Sequence, residues 1–431
     1  MSTQKKQWAA IIVMVALFAM IAFVTNLCSP MAVIVKNDFG ASNLLSQIGN
    51  YGNFIAYLVM GIPAGMLISK FGYKKTALIG LFIGICGILI QWLSGHVGKE
   101  IAFVVYLIGA FVSGFTMCIL NCVVNPMLNI LGGGGNKGNQ YIQIGGVFNS
   151  AAAVACYILM GALIGDATKA HISDATPALM IALAIFVIGF IVIAFTHIDE
   201  PEQEKQEGTM SLIKGACSYR HFVLGIIAIF LYMGIEVGVP TYVMQYLTTP
   251  ATDATPGLGM DASIVGLIVA VYWLMMLVGR LVGASIGGKV SSRTLITIVS
   301  IACIVLVLFG IFAPASVTVS VPGIDWGNLN VIWASVPVGV FAFLLVGLCT
   351  SVMWGGIFNM AVEGLGKYTA IASGIFMTMV FGCAVMVAIE AGVADLCGTF
   401  SASYWVIVAC AAYILFYALI GSRPSKKIEV K

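Results

Sequence analysis

Charge is what this sequence has least of. Only 9% of its 431 residues are Asp, Glu, Lys or Arg, while 61% are hydrophobic. A soluble globular chain carries about 25% charged residues, so lipid rather than water must surround most of this one. The net charge of +3 is too small to attract nucleic acid. Histidine is scarce, and His96, His171, His197 and His221 stand apart from one another. The 11 cysteines are scattered through apolar stretches, and Cys118 and Cys122 are too far apart for a CxxC pair. Zinc spacing and a disulfide framework are thereby excluded, and packing is the reading for the cysteines. No nucleophile–base pair or metal cluster stands out, so neither an enzyme nor a bound metal or cofactor is expected. The run GGGGNKGNQ at 132–140 lacks the Gly-Lys-Ser/Thr ending of a phosphate loop and follows no strand. It reads as a flexible cytoplasmic connector, and transport without a nucleotide is expected.

Long apolar runs are plentiful. They fall near 8–35, 44–69, 76–95, 101–131, 139–165, 177–196, 221–247, 262–287, 294–313, 331–361, 369–394 and 402–421. That makes about twelve helices, each near the ~20 residues a bilayer needs. Lys5 and Lys6 precede the first run, which is too long for a signal-peptide core and shows no clear small-residue cleavage site. It is taken as the first transmembrane helix. With the N-terminus inside, only Lys36, Lys99 and Lys169 of the 20 Lys and Arg fall outside, and Arg280 lies within a span near its inner end. This bias supports an even number of helices in a multi-pass inner-membrane protein with both termini cytoplasmic.

The longest polar connection, HIDEPEQEKQEGTMSLIKGACSYR, divides the chain into a half at 1–197, a linker at 198–220 and a half at 221–431. GMLISKFGYKK at 65–75 follows the second span, and GASIGGKVSSR at 283–293 follows the eighth. Both place basic residues in a tight inner loop. The reading is an all-α membrane protein of two six-helix parallel repeats, with a solute site where the halves meet. Among the 49 glycines, Gly61 and Gly65, and Gly279, Gly283 and Gly287, recur every fourth residue. Small residues at that spacing let helices approach closely, either as fixed packing or as a sliding seam.

GMLISKFGYKK resembles the loop signature of the major facilitator superfamily. Gly65, Lys70, Gly72, Lys74 and Lys75 fit it, while Ser69 stands in place of the usual acid. Narrower likenesses point to the superfamily's fucose/galactose–proton symporter branch. They are NPMLNILG (125–132) with FNS (148–150), YMGIEVGVPTYVMQYL (232–247), YWLMMLVGRLVGASI (272–286) and IFNMAVEGLGKYTAIASGIF (357–376). The resemblance implies the major facilitator fold and a monosaccharide cargo such as fucose, galactose, glucose or N-acetylglucosamine, carried with a proton or sometimes sodium. It also implies an acid in the first helix and a second before the Asn-Pro segment. Here NLCS (26–29) and LNCVVNP (120–126) put Ser29 and Asn121 at those places, so the branch's usual coupling acids are absent.

Polar groups inside spans are costly and need a reason. The first six spans hold no acid in mid-bilayer. Glu236 lies in the seventh, just before Pro240, and Glu390 in the eleventh. Each is a candidate coupling carboxylate. Glu236 reads equally well as a proton carrier or as a hydrogen-bonded anchor, and for Glu390 the anchor is preferred. Glu363 and Arg280, both near inner ends, are expected to join the loop at 289–293 in an inner-gate charge cluster, and Lys70 and Lys74 are further gating candidates. The cargo candidates are amides, which bind sugar hydroxyls, and aromatic rings, which cover a sugar's apolar face. Asn121 and Asn125 share a helical face ahead of the kinking Pro126. Gln143 and Asn149 follow in the next helix, and Asn26, Gln245 and Asn359 complete the set, with Trp354 the ring retained as a site residue and Trp273, Tyr232 and Tyr242 as further faces. The expectation is a monomeric secondary sugar transporter working by alternating access, with cation coupling through Glu236. An acidic-sugar transporter or an uncoupled facilitator is the alternative, and a non-transporting sugar sensor ranks below both.

Overall fold

The computed structural model describes residues 8–38, 43–164, 175–198, 200, 209–260, 262–325 and 330–424. The first part of the chain gives α1 (Trp8–Asp38), α2 (Asn43–Ser94), α3 (Lys99–Leu131), α4 (Gly135–Ile164), α5 (Thr176–Phe195) and the short α6 (Thr209–Cys217). The rest gives α7 (Arg220–Thr248), α8 (Ala262–Ile286), α9 (Ser292–Phe312), strands β1 (Thr318–Asp325) and β2 (Asn330–Pro337), α10 (Val338–Ala361), α11 (Thr369–Thr378), α12 (Gly382–Cys397) and α13 (Phe400–Phe416). Among the described residues, ten helical stretches are long and apolar enough to cross a membrane. One of them, Phe54–Ser94, spans 41 residues and carries two of the expected crossings. The core is apolar, and so is much of the outer surface: Ile188 is 60% exposed and Phe195 is 87% exposed. Such surface is stable where the solvent is lipid.

Two expected boundaries shift. The span foreseen at 331–361 begins only at Val338, because Asn330–Pro337 pairs antiparallel with Thr318–Asp325, from Thr318 opposite Pro337 to Asp325 opposite Asn330. Both strands are rich in Val and Ile, which favour a pleated backbone, and Pro337 closes the ladder because it has no N–H to donate. The spans foreseen at 44–69 and 76–95 run on as one element, broken at Gly72, whose φ of 81° and ψ of 175° are not helical.

That break is stabilised from the end of α5 and from Glu200, five residues beyond it. The Glu200 carboxylate accepts from the backbone N–H of Tyr73 at 2.6 Å and of Lys74 at 2.9 Å, the first donors of the second arm of α2. The Lys74 ammonium donates to the carbonyls of Ala194 at 3.1 Å and Thr196 at 2.8 Å, the last acceptors of α5. An anion thus sits on a helix start and a cation on a helix end, where each offsets orphaned backbone groups. A Cβ at Gly72 would fall on Glu200 Oε2, and only glycine adopts this backbone region at low cost. Gly72→Ala is therefore expected to cost about 1–3 kcal/mol from the backbone alone. The measurement is apparent melting temperature in detergent, and the drop should exceed that of Glu200→Gln.

By packing, the described chain forms two compact units. The first holds the residues through Tyr219 together with Val362–Phe381, and the second holds Arg220–Ala361 and the residues from Gly382 onward. The last-but-one span is therefore shared: α11 belongs to the first unit and α12 to the second, joined by a 3₁₀ turn at Met379–Phe381. Within the first unit α11 lies against α2. A Cβ at Gly65 would meet Ala370 O at 3.0 Å and Gly374 Cα at 3.2 Å, so the backbones approach as closely as the small-residue stripe suggests. Within the second unit, Gly279 of α8 fits against α10 in the same way, 2.8 Å from Leu348 O by the same measure.

Candidate functional site

Pro126 shapes the polar region of the first unit. It has no N–H, so the Cys122 carbonyl one turn earlier loses its helical donor. Ser373 of α11 supplies one instead, donating to that carbonyl at 3.2 Å. On the neighbouring turn, Asn121 donates through Nδ2 to the Tyr57 hydroxyl at 2.8 Å and to the Met117 carbonyl at 3.1 Å. Asn125 donates to the Asn121 carbonyl at 2.9 Å, so the two share one face as their spacing foretold. Both are buried, as is Gln143. Asn149 of α4 is half-buried and donates to Phe18 O of α1 at 2.9 Å. Asn26 donates to its own helix at Ala22 O, 2.8 Å away. Asn121 and Asn149 thus tie helices of the first unit together, the structural role weighed against cargo binding, whereas the bonds of Asn125 and Asn26 named above stay within their own helices.

The second unit gathers a different set. On α7, Pro240 frees the Glu236 carbonyl as Pro126 frees that of Cys122. The Glu236 carboxylate lies 4.0 Å from Arg280 Nη2 of α8, with side-chain exposures of 14% and 11%. One turn before Glu236, Tyr232 donates to Thr350 O at 3.3 Å, and its ring lies 6.2 Å from that of half-buried Trp354. Tyr272 exchanges a hydrogen bond with the Thr350 hydroxyl at 3.0 Å. Three helices therefore place a carboxylate, a guanidinium, two phenols and an indole together. Such a set can orient hydroxyl groups and stack on an apolar sugar face.

Other expected residues lie elsewhere. Arg280, foreseen beside the loop at 289–293, has Glu236 opposite it, while Glu363 falls in the first unit, two residues past α10. Asn359 donates to Ser292 Oγ of α9 at 2.9 Å, and Gln245 is exposed on the last turns of α7. Lys70 is exposed above the Phe71 ring at 5.2 Å, and Lys74 holds the end of α5 as described. Ser29 lies among residues whose side chains are outside those described. Glu390 is fully buried on α12. Sequence reasoning passed over Tyr57, Tyr272, Thr350, Ser373 and Glu200. Tyr272 was within reach: it lies two helical turns before Arg280 on one face of α8, and a phenol inside a span needs a partner.

Residues 13–389 match the family model of the Major Facilitator Superfamily. The chain belongs to the major facilitator superfamily. It is thus a multi-pass integral membrane protein of a transporter family, all-α in its membrane part. Among its relatives is a glucose/galactose transporter of Brucella abortus, 29% identical with 98% of this chain and 96% of that one covered. The L-fucose-proton symporter of Escherichia coli K12 is 20% identical, with 95% and 92% covered. A crystal structure of a superfamily transporter in the outward conformation shares the fold, with a TM-score of 0.79 at 19% identity over 96% of this chain and 98% of that one.

Proposed function

We propose that this superfamily member is a secondary active transporter of a neutral monosaccharide, coupled to a cation. The observation that carries the reading is the cluster of Glu236, Arg280, Tyr232, Tyr272, Thr350 and Trp354 inside membrane-spanning helices. Charged and hydroxyl groups at that depth are retained where a polar solute passes. Asn121, Asn125, Gln143 and Asn149 are the polar cargo candidates of the first unit, and Asn26, Gln245 and Asn359 are further candidates. The end-to-end similarity to a glucose/galactose transporter and to a fucose–proton symporter supports the same cargo class. An acidic sugar fits less well, because Arg280, the cation it would need, already faces Glu236. The basic residues of the loops support an inner-membrane location with both termini cytoplasmic, and a monomer suffices for the mechanism.

The test is counterflow in liposomes holding the purified protein. Labelled D-galactose should exchange, with unlabelled D-glucose or L-fucose competing and D-glucuronate not competing. Trp354→Ala should raise the half-saturating galactose concentration at least tenfold, the loss of about 1.4 kcal/mol of ring contact. Competition by glucuronate alone would transfer the reading to an acidic sugar.

A further inference from the structure

We propose that Glu390 is the proton-binding site of this transporter, an assignment that rests on the transport reading above. Glu390 is completely buried on α12, and neither of its carboxylate oxygens has a hydrogen-bond partner among the described residues. Its carboxyl fills a notch in α7 made by two glycines one turn apart. A Cβ at Gly238 would fall on Oε2 and lie 2.7 Å from Cδ, and one at Gly234 would lie 3.4 Å from Oε1. The notch exists because both positions lack a side chain.

Among the described residues, the titratable groups around the notch offer no positive charge. Cys383 is on the same helix, Tyr404 and Cys410 come from α13, and Tyr242 from α7 donates its hydroxyl proton to Val387 O at 2.8 Å instead. Glu236 of α7 interacts with Cys383 as well and adds only negative charge. An ionised carboxylate with no donor and no cation is strongly disfavoured in such a place. The neutral acid fits, so the site holds a proton. A sodium ion does not fit, because hard cations require several oxygen ligands and the notch supplies only this carboxyl. Glu236 is in the opposite position. Its charge already faces Arg280, so taking up a proton would cost that pairing.

The place of Glu390 in the chain gives the proton a route to mechanical consequence. α12 starts directly after the 3₁₀ turn at Met379–Phe381, where the span passes from one unit to the other. Short 3₁₀ segments inside a span act as hinges. Bending there draws α12 along α7 and opens the notch to water. The O–H bond of the acid then breaks, the proton passes to water on that side, and the carboxylate takes a proton from water when next opened to the other side. No other bond changes.

Two measurements on the full-length protein test the assignment. The first is infrared difference spectroscopy of wild type against Glu390→Gln in H₂O and D₂O. A carboxylic acid C=O band, sensitive to deuteration and missing in the variant, is expected. A wild-type spectrum in which this residue gives only carboxylate bands would overturn the assignment, whether or not any sugar is carried. The second uses liposomes with a trapped pH dye and labelled D-galactose. Wild type should accumulate galactose on an imposed pH gradient with matching proton movement. Glu390→Gln should continue to exchange galactose but accumulate none beyond equilibrium and move no protons. Accumulation by Glu390→Gln at the wild-type level would defeat the proton site. Failure of wild type to exchange any of the sugars would instead defeat the transport reading.

Discussion

Arg280→Met should abolish galactose accumulation and lower the apparent melting temperature, and adding Glu236→Gln to it should restore stability without restoring transport. The reasoning starts from the 4.0 Å approach of the two charges at 14% and 11% side-chain exposure. A buried pair contributes little net stability, but removing one member leaves the other charged and unpartnered at about 3–5 kcal/mol. Partial exposure and the long separation reduce that to about 2 kcal/mol here. The double variant removes the stranded charge, so most of this penalty should vanish. Transport should stay lost in both, because the cluster of Tyr232, Thr350 and Trp354 around the pair no longer has its charged centre. Thermal denaturation of single and double variants, read as a cycle, isolates the pair's coupling. Equal melting temperatures for the two variants would show that the charges do not interact.

What the sequence made legible was whatever composition and local spacing encode. Lipid as solvent followed from the charge content, the positions of most spans from apolar run length, and the close approach of a neighbouring helix to α2, though not which one, from the stripe of Gly61 and Gly65. The shared face of Asn121 and Asn125 followed from their four-residue spacing. Partners distant along the chain were not legible. Ser373 reaches Cys122 across 251 residues, and nothing local to either marks the other, although Pro126 announces that a carbonyl will need a donor. Glu200 was hidden for a related reason. The loop signature lacks its acid at Ser69, and a carboxylate from five residues beyond α5 reaches the backbone of Tyr73 and Lys74. The ranking of the two embedded acids also depended on tertiary neighbours. Glu236 and Glu390 look alike in sequence, and only the guanidinium opposite one and the glycine notch that the other fills separate them. The hairpin at 318–337 was missed because its Val- and Ile-rich second strand merges with the apolar run of α10.

Gly61→Val should cut galactose uptake roughly thirtyfold while leaving the protein folded and membrane-inserted. At Gly61 a Cβ would fall on the Thr378 hydroxyl and come within 2.6 Å of Thr378 N and 2.7 Å of Gly374 O. The last two are backbone atoms, which cannot rotate away as a side-chain tip can. Overpacking of this kind costs about 1–3 kcal/mol, and 2 kcal/mol shifts a two-state balance roughly thirtyfold toward the state in which α2 and α11 are apart. Cys122 reports that separation directly. It is fully buried beside Ser373 of α11, its thiol 3.9 Å from the Ser373 carbonyl. In Gly61→Val its alkylation by a maleimide, followed by mass spectrometry of the peptide that carries it, should be faster than in wild type by a similar factor. Gly52→Val is the control on the same helix, because a Cβ there meets nothing within 4 Å, and it should leave both uptake and alkylation near wild type. Slow uptake with Cys122 still protected would mean that the valine jams the seam shut. Wild-type uptake with fast alkylation would mean that the seam opens without consequence for transport. The second result would remove the α2–α11 contact from the working cycle, and the first would keep it there while showing that the valine holds the seam closed rather than open.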